Sequence, residues 1–273
     1  MKTIFADAKI SPSIALKYRR FIIKVGSNVL MRGDGESYKS AIAALASSIH
    51  PLVRSGAEVM LVSSGAIALG RILLGEKESV ATPLLSAIGQ SALTSTYDNA
   101  FHELGIQTAQ ILLTNGDLST DQRRQMICDT LRECTSKKHL PILNENDAAS
   151  AWTGNERPYF EDNDMLAAII AASLHTECLV LLTDVDGVFD MHPSRPEAKM
   201  ISDLRNVRVE YFSCQGGRHG RGGMWSKVRA AQFAVEHGCQ RAVIANGCNP
   251  SVLRLIAQGC SVGSSLDRSQ MDA

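Results

Sequence analysis

The chain has 273 residues, with 28 basic and 28 acidic side chains, and is 45% hydrophobic but only 5% aromatic. That length can bury a large core as one α/β unit, and the composition suits sheets of Val, Ile and Leu under Ala-rich helices. A net charge of zero leaves no global field to gather nucleic acid or an anionic membrane surface, so neither partner is expected.

Seven cysteines are scattered, odd in number and free of C-x-x-C spacing, which argues against a disulfide framework or zinc site and for a reducing compartment. The N-terminus lacks a continuous apolar segment, and no later run approaches the roughly 18 residues of a membrane span. A cytoplasmic protein is expected. Residues 1–18 read as a loose lead-in, 19–265 as a single domain and 266–273 as a tail, with disorder expected from Ser264 onward.

Residues 20–27 open the fold as an apolar strand that ends in Lys24 and is followed by Gly26-Ser27. A cation there would sit beside a backbone that a ligand can approach closely; a strand-end lysine reaching out to water is the equal alternative. Residues 38–53 carry Ile42, Leu45, Ile49 and Val53 on one helical stripe. A second buried strand over 58–62 runs into Ser63-Ser64-Gly65-Ala66, a polar turn opening directly into a helix. Backbone N–H groups at such a start, joined by the Ser64 hydroxyl, suit a carboxylate or phosphate, unless Ser64 merely caps its own helix. Thr82-Pro83 begins a helix to about residue 104, followed by a strand over 106–114 and a helix over 119–134.

The densest polar stretch follows a short apolar strand over 140–143. Between it and a helix over 165–174 lie Asn144, Glu145, Asn146, Asp147, Glu156, Glu161, Asp162, Asn163 and Asp164, with Arg157 the only basic side chain. Singly these are ordinary turn formers and N-caps. Together their mutual repulsion calls for a neutralising cation. An apolar strand over 178–182 then ends in Thr183-Asp184. Asp184-Val185-Asp186-Gly187 does not make a calcium loop, because the glycine falls fourth instead of sixth. Residues 191–223 read mostly as loop and end in a Gly- and Arg-rich run through Arg221, Gly222 and Gly223 into Met224-Trp225-Ser226-Lys227. Lys227 in a first helical turn opposes the helix dipole, a cost that makes sense with an anion between them. Neither a P-loop nor a G-x-G-x-x-G between strand and helix is present. A strand over 241–245 and a short helix from Pro250 close the chain. Strands alternating with helices imply a wound parallel sheet whose ligands bind beyond the strands' carboxyl ends, where Lys24, Ser64, Asp147 and Thr183-Asp184 can converge. Two lysines, a Gly-rich anion loop and a carboxylate-rich pocket suggest phosphoryl transfer.

I-I-K-V-G-S, V-S-S-G-A-I-A-L-G, I-L-N-E-N-D-A, E-D-N-D-M-L-A-A, L-L-T-D-V-D-G-V and R-G-G-M-W-S-K, in that order, resemble the glutamate 5-kinases of the amino acid kinase superfamily. The resemblance implies an αβα sandwich around an eight-stranded, mainly parallel sheet, and transfer of the ATP γ-phosphoryl to the side-chain carboxylate of L-glutamate with Mg²⁺, the first step of proline synthesis. It implies that Lys24 and Lys227 stabilise the phosphoryl in flight and that Asp164 orients them, as the catalytic set. Ser64, Gly65, Ala66, Asp147 and Asn163 would hold glutamate. Lys24, Thr183, Asp184, Arg221, Gly222, Gly223, Met224, Trp225, Ser226 and Lys227 would contact ATP, and Mg²⁺ would ride on the phosphates without a dedicated metal motif. Arg221 and Trp225-Ser226 depart from the Thr and Ser-Thr common in bacterial members. The resemblance also implies a homo-dimer or tetramer, feedback inhibition by proline and a functional link to glutamyl-phosphate reductase. An RNA-binding PUA domain, frequent in relatives, is not expected here.

Overall fold

The computed structural model describes residues 14–31, 37–75, 80–149, 160, 162–213 and 223–271. In chain order it places β1 (Arg20–Val25), α1 (Ser27–Leu30), α2 (Ser37–Arg54), β2 (Glu58–Val62), α3 (Ala66–Leu74), α4 (Thr82–His102) and β3 (Thr108–Leu113). There follow α5 (Asp121–Ser136), β4 (Leu140–Glu145), α6 (Asn163–Ser173), β5 (Cys178–Thr183), β6 (Val188–Phe189), β7 (Met200–Ile201), α7 (Glu210–Ser213), α8 (Met224–Glu236), β8 (Arg241–Asn246), α9 (Val252–Ala257) and β9 (Ser264–Asp267).

Seven strands form one sheet in the order β3-β4-β2-β1-β5-β8-β9. All pairings are parallel except β8 with β9. The central strands are apolar along their length because helices cover both faces. Phe21, Ile23 and Val25 of β1 join a core with α2, α4 and α9, whereas Ile22 joins a second core with α5, α6 and α8. Lys24 therefore points to the α6–α8 side by simple alternation. From β1 the chain winds outward through β2, then crosses to β5 on the other flank. This reversal beside β1 is where an open parallel sheet leaves a crevice at its carboxyl edge.

Three expectations need correction. The sheet has seven strands among the described residues, not eight. Residues 264–271 are ordered: β9 pairs antiparallel with β8, buries Leu266, and its Ser264 hydroxyl accepts the Val188 N–H at 2.8 Å. A four-residue edge strand with one large apolar side chain gives little periodicity to read. Finally, β4 continues through Asn144 and Glu145, because Leu112 and Leu113 of β3 pair with them. Within residues 191–223, which read mostly as loop, lie β7, paired antiparallel with β6 just before them, and α7.

Candidate active site

The carboxyl ends of β1, β2, β4 and β5 open into a cavity of about 800 Å³. Its floor is an ion triad. Asp164, wholly buried in the first turn of α6, lies 2.7 Å from Lys24 Nζ through Oδ1 and 3.0 Å from Lys227 Nζ through Oδ2. Lys24 comes from β1 and Lys227 from the first turn of α8, so one carboxylate ties the central strand to a helix far along the chain. Both ammonium groups line the cavity, whereas Asp164 stands behind them.

The electrostatics follow from burial. Desolvation is the largest influence on Lys24 and lowers its pKa; Lys227 pushes the same way and Asp164 opposes both. Desolvation also acts most strongly on Asp164, upward, but the two lysine charges and their hydrogen bonds outweigh it and hold the carboxyl below its usual range. The cavity thus faces two ammonium groups bridged by a carboxylate that stands behind them, a floor suited to a polyanionic ligand.

One wall is built by α3. Gly65 sits at its N-cap with φ +102°, and a Cβ there would meet Met31 Cε at 2.8 Å, so glycine alone fits this turn. The cap is therefore not Ser64. Its side chain turns into the cavity, and the first-turn residues Ala66, Ile67 and Ala68 line it too, presenting a helix N-terminus as an anion seat. Gly89 of α4 lets the helix pair approach closely: a Cβ there would come within 1.8 Å of the Ala66 carbonyl oxygen.

Beside this seat, Asn163 donates from Nδ2 to Asn144 Oδ1 at 2.9 Å and to Ser64 Oγ at 3.5 Å. Asp147 lines the same end, and Ser86 Oγ donates to it at 3.5 Å. Asp162 caps α6, accepting from the N–H groups of Asp164 and Met165 at 3.0 and 2.9 Å. Its other oxygen accepts the Ser226 hydroxyl, so the starts of α6 and α8 are tied twice, by this bond and by the ion pair.

Toward the opposite end lie Thr183, Asp184, Gly187, Phe189, Met191, His192, Phe212, Gly223 and Met224. Thr183 Oγ1 donates to Asp184 Oδ1 at 3.2 Å, and Asn28 Nδ2 reaches Asp184 Oδ2 at 3.4 Å. Lys24, Ser64, Gly65, Ala66, Asp147, Asn163, Thr183, Asp184, Gly223, Met224 and Lys227 are therefore brought to one cavity. Trp225 and Ser226 are not. Trp225 packs on Phe212 with ring centroids 5.6 Å apart, and Ser226 binds Asp162. Arg221, Gly222, Glu156, Arg157 and Glu161 lie outside the described residues. Sequence reasoning missed Arg71, Asn28, Phe189, Met191 and His192 in the lining, because nothing in their spacing distinguishes them from surface residues. Among the described residues no three His, Cys, Asp or Glu side chains converge on a metal position, and no helix is long and apolar enough to cross a membrane.

The sequence profile described as "Amino acid kinase family" matches residues 19–246. A glutamate 5-kinase from Ligilactobacillus salivarius is 34% identical over 254 residues, covering 90% of this chain and 95% of that protein. A glutamate 5-kinase from Acinetobacter baylyi is 37% identical over 265 residues, covering 93% of this chain and 69% of that protein. Among solved structures, carbamate kinase from Giardia lamblia bound to AMP-PNP superposes with a TM-score of 0.65 at 15% identity, covering 92% of this chain and 99% of the other. T. acidophilum isopentenyl phosphate kinase does so with 0.63 at 17% identity, over 90% and 99%. At such low identity these two structures speak to the fold.

Proposed function

The chain belongs to the amino acid kinase family and, within it, to the glutamate 5-kinases, and we propose that it transfers the γ-phosphoryl group of ATP to the γ-carboxylate of L-glutamate. The observation that carries this reading is the Lys24–Asp164–Lys227 triad, whose two lysines line the same cavity as the α3 N-terminus and Thr183.

A side-chain carboxylate, with pKa about 4.3, is already ionised at neutral pH, so the reaction needs no general base. Its oxygen forms the new bond to the γ-phosphorus, the bond from that phosphorus to the β–γ bridging oxygen breaks, and ADP leaves with the electron pair. No proton moves. What the protein must supply is relief of repulsion between two anions, and the ammonium groups of Lys24 and Lys227 offer it where charge passes from acceptor to leaving group. Asp164 acts through them as a positioning residue: it holds both ammoniums in place and favours the charged form of Lys24.

At the acceptor end, the α3 N-terminus with Ser64, Gly65 and Ala66 would take a substrate carboxylate, Asn163 would align it, and Asp147 would receive the ammonium group. A carboxylate partner for the ammonium group favours glutamate over an N-acylated analogue, in which that charge is gone. At the nucleotide end, Thr183, Asp184, Gly223 and Met224 would contact ATP, with Arg221 and Gly222 continuing the loop. Mg²⁺ would enter as part of the nucleotide substrate, held mainly by phosphate oxygens. Trp225 would support the nucleotide end from behind Phe212, and Ser226 would seat α8 on Asp162.

An acyl phosphate is labile in water, which favours prompt use by glutamyl-phosphate reductase. Proline shares the α-carboxylate of glutamate, which supports competition at the α3 seat. Exposed Ile72, Leu73, Leu74 and Leu84 on neighbouring turns of α3 and α4 support association of copies. Scattered free cysteines support work in the cytoplasm.

Hydroxylamine traps acyl phosphates as hydroxamates and supplies the test. With ATP and Mg²⁺ the expected signal appears with L-glutamate and not with N-acetylglutamate or L-aspartate. Signal with another acceptor alone would reassign the substrate, and binding of glutamate without any hydroxamate would make the protein a sensor.

A further inference from the structure

Behind Asn163 runs a ladder of amides and hydroxyls that leaves the cavity and reaches the sheet edge. Asn144, 1% exposed at the end of β4, donates from Nδ2 to Gln90 Oε1 at 2.7 Å. Gln90 donates from Nε2 to Thr94 Oγ1 at 3.1 Å and to Gln110 Oε1 at 3.4 Å. Gln110 donates from Nε2 to the Ile142 carbonyl at 3.0 Å.

The direction of every bond in this ladder is fixed by its ends. A side-chain amide can present either nitrogen or oxygen, and only its partners decide. The Ile142 carbonyl can only accept, so Gln110 turns its NH₂ to it and its oxygen to Gln90. Gln90 must then donate on that side and offer oxygen to Asn144. At the other end the Glu145 N–H can only donate, and both Asn144 Oδ1, at 3.0 Å, and Asn163 Oδ1, at 3.2 Å, accept from it. Asn163 therefore gives its NH₂ to Asn144 and Ser64, and the Ser64 hydroxyl, acting as acceptor toward Asn163, keeps its own proton for the cavity. A donating hydroxyl is what a carboxylate requires.

We propose that Gln90, a helix residue facing a second cavity behind the catalytic one, is a positioning residue for the acceptor substrate. It holds Asn144 in the orientation that commits the Asn163 NH₂ to Asn144 and Ser64 and so leaves the Ser64 hydroxyl a donor toward glutamate. The inference rests on the glutamate kinase reading. Without Gln90 Oε1, the buried Asn144 NH₂ has lost its acceptor, and the amide gains by rotating away from Asn163.

The test compares wild type, Gln90→Leu and Gln90→Glu by steady-state kinetics and thermal melting. Leucine removes the acceptor; glutamate keeps an acceptor oxygen toward Asn144. For Gln90→Leu the expected result is a glutamate KM raised about tenfold, with the ATP KM unchanged and kcat little altered. Gln90→Glu is expected to restore most of the glutamate KM. A glutamate KM unchanged in Gln90→Leu overturns the proposal, as does an equal rise in both substrates' KM. If Gln90→Leu fails to fold, Gln90→Glu decides alone: a near-wild-type glutamate KM supports the role, and a KM raised as far as leucine was expected to raise it overturns it. Wild-type turnover with glutamate tests the functional reading separately, and a wild type inert toward glutamate overturns both.

Discussion

Lys24 and Lys227 are 3% and 5% exposed, so each cation has lost most of its hydration, a loss that the shared Asp164 carboxylate and a bound anion help to offset. For Lys24 the consequence is a pKa lowered from 10.5 by burial first and by Lys227 second, against the pull of Asp164. The ammonium form is the one that can meet a phosphate, and it is lost as pH rises through the lowered value. We expect kcat/KM to fall on an alkaline limb that begins below pH 10.5. Bound polyphosphate raises the pKa again, so the limb in kcat should lie at higher pH than the limb in kcat/KM. Lys24→Arg stays ionised throughout this range and should abolish the limb while slowing the reaction, because a guanidinium does not reproduce the ammonium geometry. A pH–rate profile that is flat to 10.5 in the wild type, or a limb that survives in Lys24→Arg, would remove Lys24 from this role.

At the scale of elements, the acceptor end depends on how closely α3 and α4 approach. A methyl group at Gly89 would stand 1.8 Å from the Ala66 carbonyl oxygen, which is backbone and cannot yield as a flexible side chain can. Gly89→Ala must therefore push apart the two helices at the first turn of α3, the turn that lines the cavity. Overpacking of this kind costs about 1–3 kcal/mol, equivalent to a fall in Tm of roughly 2–4 °C per kcal/mol in a domain of this size. We expect a raised glutamate KM beside an unchanged ATP KM, and a destabilised variant with normal glutamate KM would show that the helix contact does not set the site. None of this is readable from Gly89 in the sequence, where an isolated helical glycine is only a weak negative signal. The parallel strands were legible because burial on both faces makes them continuous apolar runs, as in Leu179–Leu182. The lysines and Asp164 were legible because each breaks a pattern, a charge ending an apolar strand or sitting in a first helical turn. The ladder through Gln90 was not: Gln90, Thr94 and Gln110 are ordinary polar residues of a half-buried face until the fold lays β3 against α4. Nor was β9, whose pairing is decided by β8 and not by its own residues.

Across the whole molecule, the triad joins β1 at the start of the fold, α6 in its middle and α8 near its end, so removing its only anion should be felt globally. In Asp164→Asn the two buried cations lose the carboxylate that bridges them, and breaking such an arrangement costs about 3–5 kcal/mol. The pH dependence of that loss has a definite sign. The Asp164 carboxyl is held below 3.8 in the folded protein by Lys24 and Lys227, despite burial. Its contribution is therefore complete above pH 3.8 and fades as pH falls through the folded value. Chemical denaturation should show a stability gap between wild type and Asp164→Asn that is constant from neutral pH to about that point and narrows in more acidic solution. The gap should narrow again on the alkaline side, where Lys24 sheds its charge and no longer needs a counterion. Loss of Asp164 also removes the main influence that opposes burial at Lys24, so this alkaline narrowing should be under way at a pH where the wild type still holds its proton. A gap independent of pH would mean that Asp164 stabilises the fold by packing and polar contact, and that the two lysines reach the cavity floor without depending on its charge.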